Sequence, residues 1–149
     1  MAWRAITEAD VLTQISGPEL EAIRAAALGS GQVDPVQPTL DLVTREVRGY
    51  VAGCARNRLG AAGTVPDELI GHAVSLAVMR IMPRAAGLVI GEQREKAAAD
   101  ARAALKDVAA CRFAIEQPAT ESTEETGGGD VEMATTPTRL ASRAKMAGL

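Results

Sequence analysis

The sequence predicts an all-α fold: a small helical bundle of about four to five helices, with one long Ala-rich helix and an extended C-terminal tail. The chain is 47% hydrophobic but only 2% aromatic, so its core must be built mainly from Ala, Val, Leu, Ile and Met. Most of these residues favour helices, and apolar positions recur at helical steps of three and four. The composition becomes polar and glycine-rich only near the C-terminus.

Two helix starts are visible near the N-terminus. Thr7 with Asp10 and Ser16 with Glu19 match the spacing of a capping box, and Pro18 suits a first helical turn. They predict short helices over residues 8–14 and 18–28. Residues 29–38 hold two Gly and two Pro, so this stretch is predicted to be a loop.

Two amphipathic helices follow the loop. Apolar residues at helical spacing predict one helix from Leu40 to near Arg58, with Arg45, Arg48 and Arg56 on its polar side. The next helix, over residues 67–82, has the widest apolar face in the chain. We therefore predict that it is the most buried helix, and that its core residues are Leu69, Val74, Val78 and Ile81.

Residues 92–115 contain many alanines and neither Gly nor Pro, which predicts a helix of about 36 Å. Large apolar side chains are few, so the helix would add little to the core of a monomer. The sequence therefore predicts contact between copies of the chain through Ala101, Ala104 and Leu105. Arg45, Arg48 and Arg56 are a second candidate surface, facing either a neighbouring subunit or DNA.

The chain is predicted to divide into a helical domain, residues 1–117, and a tail, residues 118–149. Residues 118–130 are acidic and cannot bury enough apolar area to fold alone, so we call them the acidic tether. Residues 131–149 combine basic and apolar side chains and are interpreted as a segment that binds a partner. Its candidate contact residues are Arg139, Leu140, Arg143, Lys145, Met146 and Leu149.

The sequence predicts no catalytic, cofactor or metal site. His72 is the single histidine, and neither cysteine has the spacing of a zinc ligand. Cys54 and Cys111 are predicted to be reduced core residues of a soluble, cytoplasmic protein without a membrane span. A net charge of −3 argues against a broad nucleic-acid-binding face.

Several segments, taken in order, resemble one family of phage proteins. They are Ala5-Ile-Thr-Glu-Ala-Asp-Val-Leu12, Pro18-Glu-Leu20, Val33-Asp-Pro35, Glu46-Val-Arg-Gly-Tyr-Val-Ala-Gly53 and Val65-Pro-Asp-Glu-Leu69. The pattern over about residues 4–115 is similar to that of the small head-tail connector proteins of tailed bacteriophages and prophages, including Mu-like phages. These proteins are also called adaptor or head-completion proteins.

The resemblance implies a structural protein of the virion neck, assembled in the host cytoplasm. It implies a homo-oligomeric ring of about twelve copies. The ring would join the portal protein to the tail or tail-terminator protein and meet DNA only as it passes through the channel. Residues 131–149 would then bind the portal or a neighbouring subunit. The alternative is a helical regulatory or toxin-antitoxin-type protein whose C-terminal segment folds on binding a partner.

Overall fold

The structure, a computed structural model, describes residues 3–119, and over this range it confirms the all-α fold. The described range has five α-helices: α1 (Glu8–Val11), α2 (Gly17–Gly29), α3 (Val36–Ala52), α4 (Ile70–Ile81) and α5 (Glu92–Ala109). The 3-10 turns Asp67–Leu69 and Met82–Arg84 flank α4. Two strands, β1 (Trp3–Arg4) and β2 (Val65–Pro66), pair antiparallel, an element that the sequence did not predict.

Helix α4 lies at the centre of the bundle. It packs mainly against α5 and α3, and also against α1. Leu69, Val74, Val78 and Ile81 are each at most 1% exposed, so the predicted core face is confirmed. On its other side, Leu76 is equally buried, because other helices surround α4.

The bounds of α1 and α3 differ from those predicted. Helix α1 ends at Val11, three residues before the predicted end at residue 14. Helix α3 begins at Val36, inside the predicted loop. Pro38 is compatible with this start because it stands in the first turn, where a missing N–H leaves no helical hydrogen bond unmade. The same helix ends at Ala52, and Gly53 follows it.

Helix α5 is shorter than predicted, about 27 Å for 18 residues. It ends at Ala109 because Cys111 adopts a left-handed conformation, with φ of 60°. The amide of Arg112 then donates to the carbonyl of Asp107 at 2.8 Å, and the amide of Cys111 donates to Val108 at 3.0 Å. These two bonds form a Schellman-type helix end, in which glycine usually takes the left-handed position.

The prediction that both cysteines are reduced is corrected by the structure. Cys54 and Cys111 form a disulfide bond with a Cα–Cα distance of 5.3 Å. The ends of α3 and α5 come this close because Gly53 has no side chain: a Cβ there would stand 3.1 Å from the Cβ of Ala109. The sequence did not indicate this pairing, because the two cysteines lie 57 positions apart along the chain.

Ion pairs join the short N-terminal helices to the rest of the bundle. Arg4 binds both Asp10 and Asp67 at 2.8 Å, and so connects α1 to the start of the α4 region. Arg94 of α5 binds Glu19 of α2 at 3.0 Å. Glu19 also accepts the amide of Ser16 at 2.8 Å, which confirms the predicted capping box of α2.

The Glu19 pair gives a prediction for acid stability. Hydrogen bonding to Arg94, followed by the amide of Ser16, lowers the pKa of Glu19 from 4.5 to about 2. A folded-state pKa below the unfolded one stabilises the protein above pH 4.5, and this contribution is lost as the pH falls towards 2.

We therefore expect Glu19→Gln to lower the free energy of unfolding at pH 6, with the difference from the original protein shrinking below pH 4.5. Urea unfolding of both proteins across pH 2–6 measures it. A difference that stayed constant across this range would show that ionisation of Glu19 does not contribute to stability.

Candidate interaction surfaces

The inner face of α5 belongs to the subunit core. Ala98, Ala101, Leu105 and Val108 are all fully buried within the single chain. Ala101 and Leu105, which the sequence predicts as contacts to a neighbouring copy, are thus covered within the subunit, where α5 packs against α3 and α4. These four residues form a stripe along α5 that faces inward. Ala104 lies at its edge and is half-buried.

The outer face of α5 carries small and charged residues. Ala99 and Ala103 are exposed, and they lie on the side of the helix opposite the buried stripe. Lys96 and Lys106 are exposed near them. This face is the part of α5 that remains available to another chain.

The three arginines on and after α3 all hydrogen-bond within the subunit. Arg48 is half-buried and donates to the carbonyls of Ala61 at 2.8 Å, Thr64 at 2.7 Å and Gly60 at 3.1 Å. Arg56 donates to the carbonyl of Cys111 at 2.6 Å. Arg45 is exposed, and its Nε donates to the carbonyl of Asp41 in its own helix at 3.3 Å.

Within residues 3–119 these bonds leave the three arginines without a carboxylate partner, and the guanidinium carbon of Arg48 also lies 6.0 Å from the centre of the Trp3 ring. Each of the three donates only to backbone carbonyl oxygens, and none forms an ion pair with a carboxylate in residues 3–119. Other arginines of the same body, such as Arg24 and Arg80, do form ion pairs with carboxylates. We call Arg45, Arg48 and Arg56 the arginine face.

An open groove of about 600 Å³ runs beside part of this face. Its walls come from the segment before α1, from α3 and from the loop that follows α3. Arg45 and Arg48 lie on one wall, and Ala62 and Gly63 on another. The structure thus brings together two of the predicted contact arginines, while Arg56 lies further along, beside the disulfide.

The end of the described chain is fixed to the same region. The indole N–H of Trp3 donates to the carbonyl of Glu116 at 3.0 Å. The side chain of Gln117 accepts the amide of Arg58 at 2.8 Å. Trp3 fits here because residue 60 is glycine: a Cβ would stand 2.7 Å from the Trp3 ring. Pro118 and Ala119 then lie beside Gly60 and Ala61.

Sequence reasoning missed Trp3, Gly60 and the disulfide as determinants of this region. Each works through a partner more than fifty residues away, so local periodicity carries no signal for it. The only available hint was the single tryptophan at residue 3, since an isolated aromatic residue in an aliphatic protein usually has a specific packing position.

The predicted tail contacts, Arg139, Leu140, Arg143, Lys145, Met146 and Leu149, lie outside the described residues. His72 is half-buried on α4. Within residues 3–119, no group of three His, Cys, Asp or Glu side chains is arranged to hold a metal ion. No helix in that range combines the length and hydropathy needed to cross a bilayer.

Comparison with protein families gives one match. The family described as Bacteriophage Mu, Gp36 matches residues 6–133, more than four fifths of the chain. Searches of curated proteins and of solved structures gave no match. The match extends from α1 through α5 and past the described body. The chain therefore belongs to the Bacteriophage Mu, Gp36 family and is a phage Mu-like protein.

Proposed function

We propose that this protein is a structural component of the phage neck, a ring that joins the portal to the tail and lets DNA pass. The family match over residues 6–133 carries the proposal, because membership of a phage Mu family supports a structural or assembly role. The ring itself, its attachment to the portal and its place in the virion are proposed from the resemblance to head-tail connector proteins.

The outer face of α5 is the best candidate for the lateral contact between subunits. Ala99 and Ala103 allow a neighbouring backbone to approach closely, and the charged residues around them provide polar contacts at the edge. A ring forms when a contact between unlike surfaces closes after a full turn. The face of α5 would thus pack against a different surface of the next copy.

The charge of the body suits a channel that DNA must leave freely. Lysines and arginines are almost balanced by acidic residues over residues 3–119, and ion pairs hold several of the arginines. Strong DNA binding requires many uncompensated cations that displace counterions from phosphates. A nearly balanced body would therefore let DNA slide past it.

Residues 131–149 are proposed to attach the ring to the portal or to a neighbouring subunit. Arg139, Arg143 and Lys145 would pair with acidic side chains of the partner, and Leu140, Met146 and Leu149 would bury apolar area against it. This arrangement gives each subunit a contact that is separate from the packing of its helical body.

The ring contact is tested by Ala103→Glu, with Ala22→Glu on the exposed surface of α2 as the matched control. Both variants should keep the far-UV circular dichroism of the original protein. Ala103→Glu should lose assembly, because it places a bulky charge in a close contact, and Ala22→Glu should assemble normally. Negative-stain images and mass photometry, with and without portal, measure the copy number.

Normal rings from Ala103→Glu would show that α5 is not the lateral contact. A free dimer of the original protein, unchanged by portal, would contradict the ring and favour the regulatory alternative. These two outcomes are independent of each other, because the first concerns one surface and the second concerns the assembly itself.

A further inference from the structure

We propose that the acidic tether, residues 118–130, lies on the arginine face of its own chain and screens that face from other polyanions. The proposal concerns the isolated subunit as well as any assembly, so it goes beyond the function proposed above. Three observations support it: unpaired positive charge, the position at which the tether begins, and the composition of the tether.

The first observation is the unpaired charge. Carbonyl oxygens hold Arg48 and Arg56 in place but carry no net charge to neutralise them. Arg45 stands exposed at the groove, where the one carboxylate is that of Asp41, which accepts the side-chain amide of Gln37 at 2.8 Å. Among the described residues that line it, the groove thus carries two guanidinium groups against one carboxylate, and an anionic segment would complement it.

The second observation is where the tether starts. Pro118 and Ala119 line a small cavity together with Gly60 and Ala61. The carbonyls of Gly60 and Ala61 bind Arg48, and the next two residues of the loop, Ala62 and Gly63, line the groove. The tether therefore begins within one or two residues of the groove wall.

The third observation is composition and reach. The tether contains Glu121, Glu124, Glu125 and Asp130 and has no basic residue. Arg45 and Arg48 are only about 4.5 Å apart along the axis of α3. An extended chain covers about 3.3 Å per residue, so Glu124 is able to reach about 17 Å from Ala119. This reach exceeds the roughly 10 Å that the three-residue step from Gly60 to Gly63, at the groove, is able to span.

Zero-length cross-linking of the full chain with a carbodiimide tests the contact. In Arg45→Lys the introduced amine should link to Glu121, Glu124 or Glu125, and peptide mapping by mass spectrometry should find the link. Arg84→Lys is the matched control, since Arg84 is exposed but lies outside the groove. Mixing isotope-labelled with unlabelled chains distinguishes links within one chain from links between copies.

We expect links from Arg45→Lys within one chain, their loss at high salt, and none from Arg84→Lys. Absence of the Arg45→Lys link, or equal linking from Arg84→Lys, would overturn the contact. Links found only between labelled and unlabelled chains would overturn the assignment of the contact to one chain. They would show that the tether of one copy binds the arginine face of another.

Binding to duplex DNA tests the screening. A variant in which the four carboxylates of the tether are neutralised should bind DNA more tightly than the original protein, with a steeper dependence on salt. Its substitutions are Glu121→Gln, Glu124→Gln, Glu125→Gln and Asp130→Asn. Adding Arg45→Glu to this variant should reverse much of the gain, whereas adding Arg84→Glu should reverse less. Unchanged DNA binding after neutralisation of the tether would overturn the screening.

Discussion

Opening the disulfide between Cys54 and Cys111 is expected to lower the free energy of unfolding by about 4 kcal/mol. The bond closes a loop with a sequence separation of 57 residues, and a cross-link across so long a loop removes much of the conformational freedom of the unfolded chain. The loop contains β2, α4 and α5, and the bond joins the ends of α3 and α5, the two helices against which α4 mainly packs.

Denaturant unfolding with and without reductant measures this effect, and intact mass under non-reducing conditions reports the state of the cysteines. The double variant Cys54→Ala, Cys111→Ala is the control, because reductant should not change its stability. Equal unfolding midpoints for the oxidised and reduced original protein would show that the bond contributes nothing. The protein should be fully oxidised before the measurement, so that unfolding starts from the disulfide-bonded form.

Truncating Leu69→Ala is expected to cost about 2–5 kcal/mol. Leu69 is fully buried at the end of the 3-10 turn that leads into α4, so removing its side chain leaves a cavity in the centre of the bundle. Leu28→Ala, at a residue 66% exposed at the end of α2, is the matched control and should cost a few tenths of a kcal/mol.

Chemical denaturation of the two variants in parallel measures both costs. A loss at Leu69 as small as that at Leu28 would contradict the central position of α4. Since both changes remove the same atoms from a leucine, the comparison isolates burial from the chemistry of the substitution.

The fold class and the central helix were predictable because they depend on local periodicity. The apolar positions from Leu69 to Ile81 predict burial on a wide face, and the structure confirms it. The capping box at Ser16 and Glu19 was predictable for the same reason, since both partners lie within one turn.

The ends of α3 and α5 were not predictable from propensity. Sequence gives no reason for Cys111 to take a left-handed conformation, and its disulfide to Cys54 and the close approach of Gly53 to Ala109 join residues that are far apart in the chain. The strand pair of Trp3–Arg4 with Val65–Pro66 is too short for an alternating pattern to appear.

The candidate surfaces also combine features that were predictable from the sequence with features that were not. Ala101 and Leu105 were recognised as contact residues, but an alanine-rich sequence does not tell whether such residues meet another helix of the same chain or of a neighbour. Arg48 was placed on a polar face, yet its carbonyl partners in residues 60–64 arise from the path of a loop that sequence does not specify.

The hydrogen bond between Trp3 and Glu116 has a practical consequence for the design of fusion proteins. It brings the first and last parts of the helical body side by side. Chain ends that lie close together are the usual starting point for circular permutation, in which a short linker joins them and new ends are opened elsewhere. The exposed turn around Gly87 and Val89 is a suitable place for the new ends. A label fused there would project from a part of the subunit other than the region of Trp3 and Glu116.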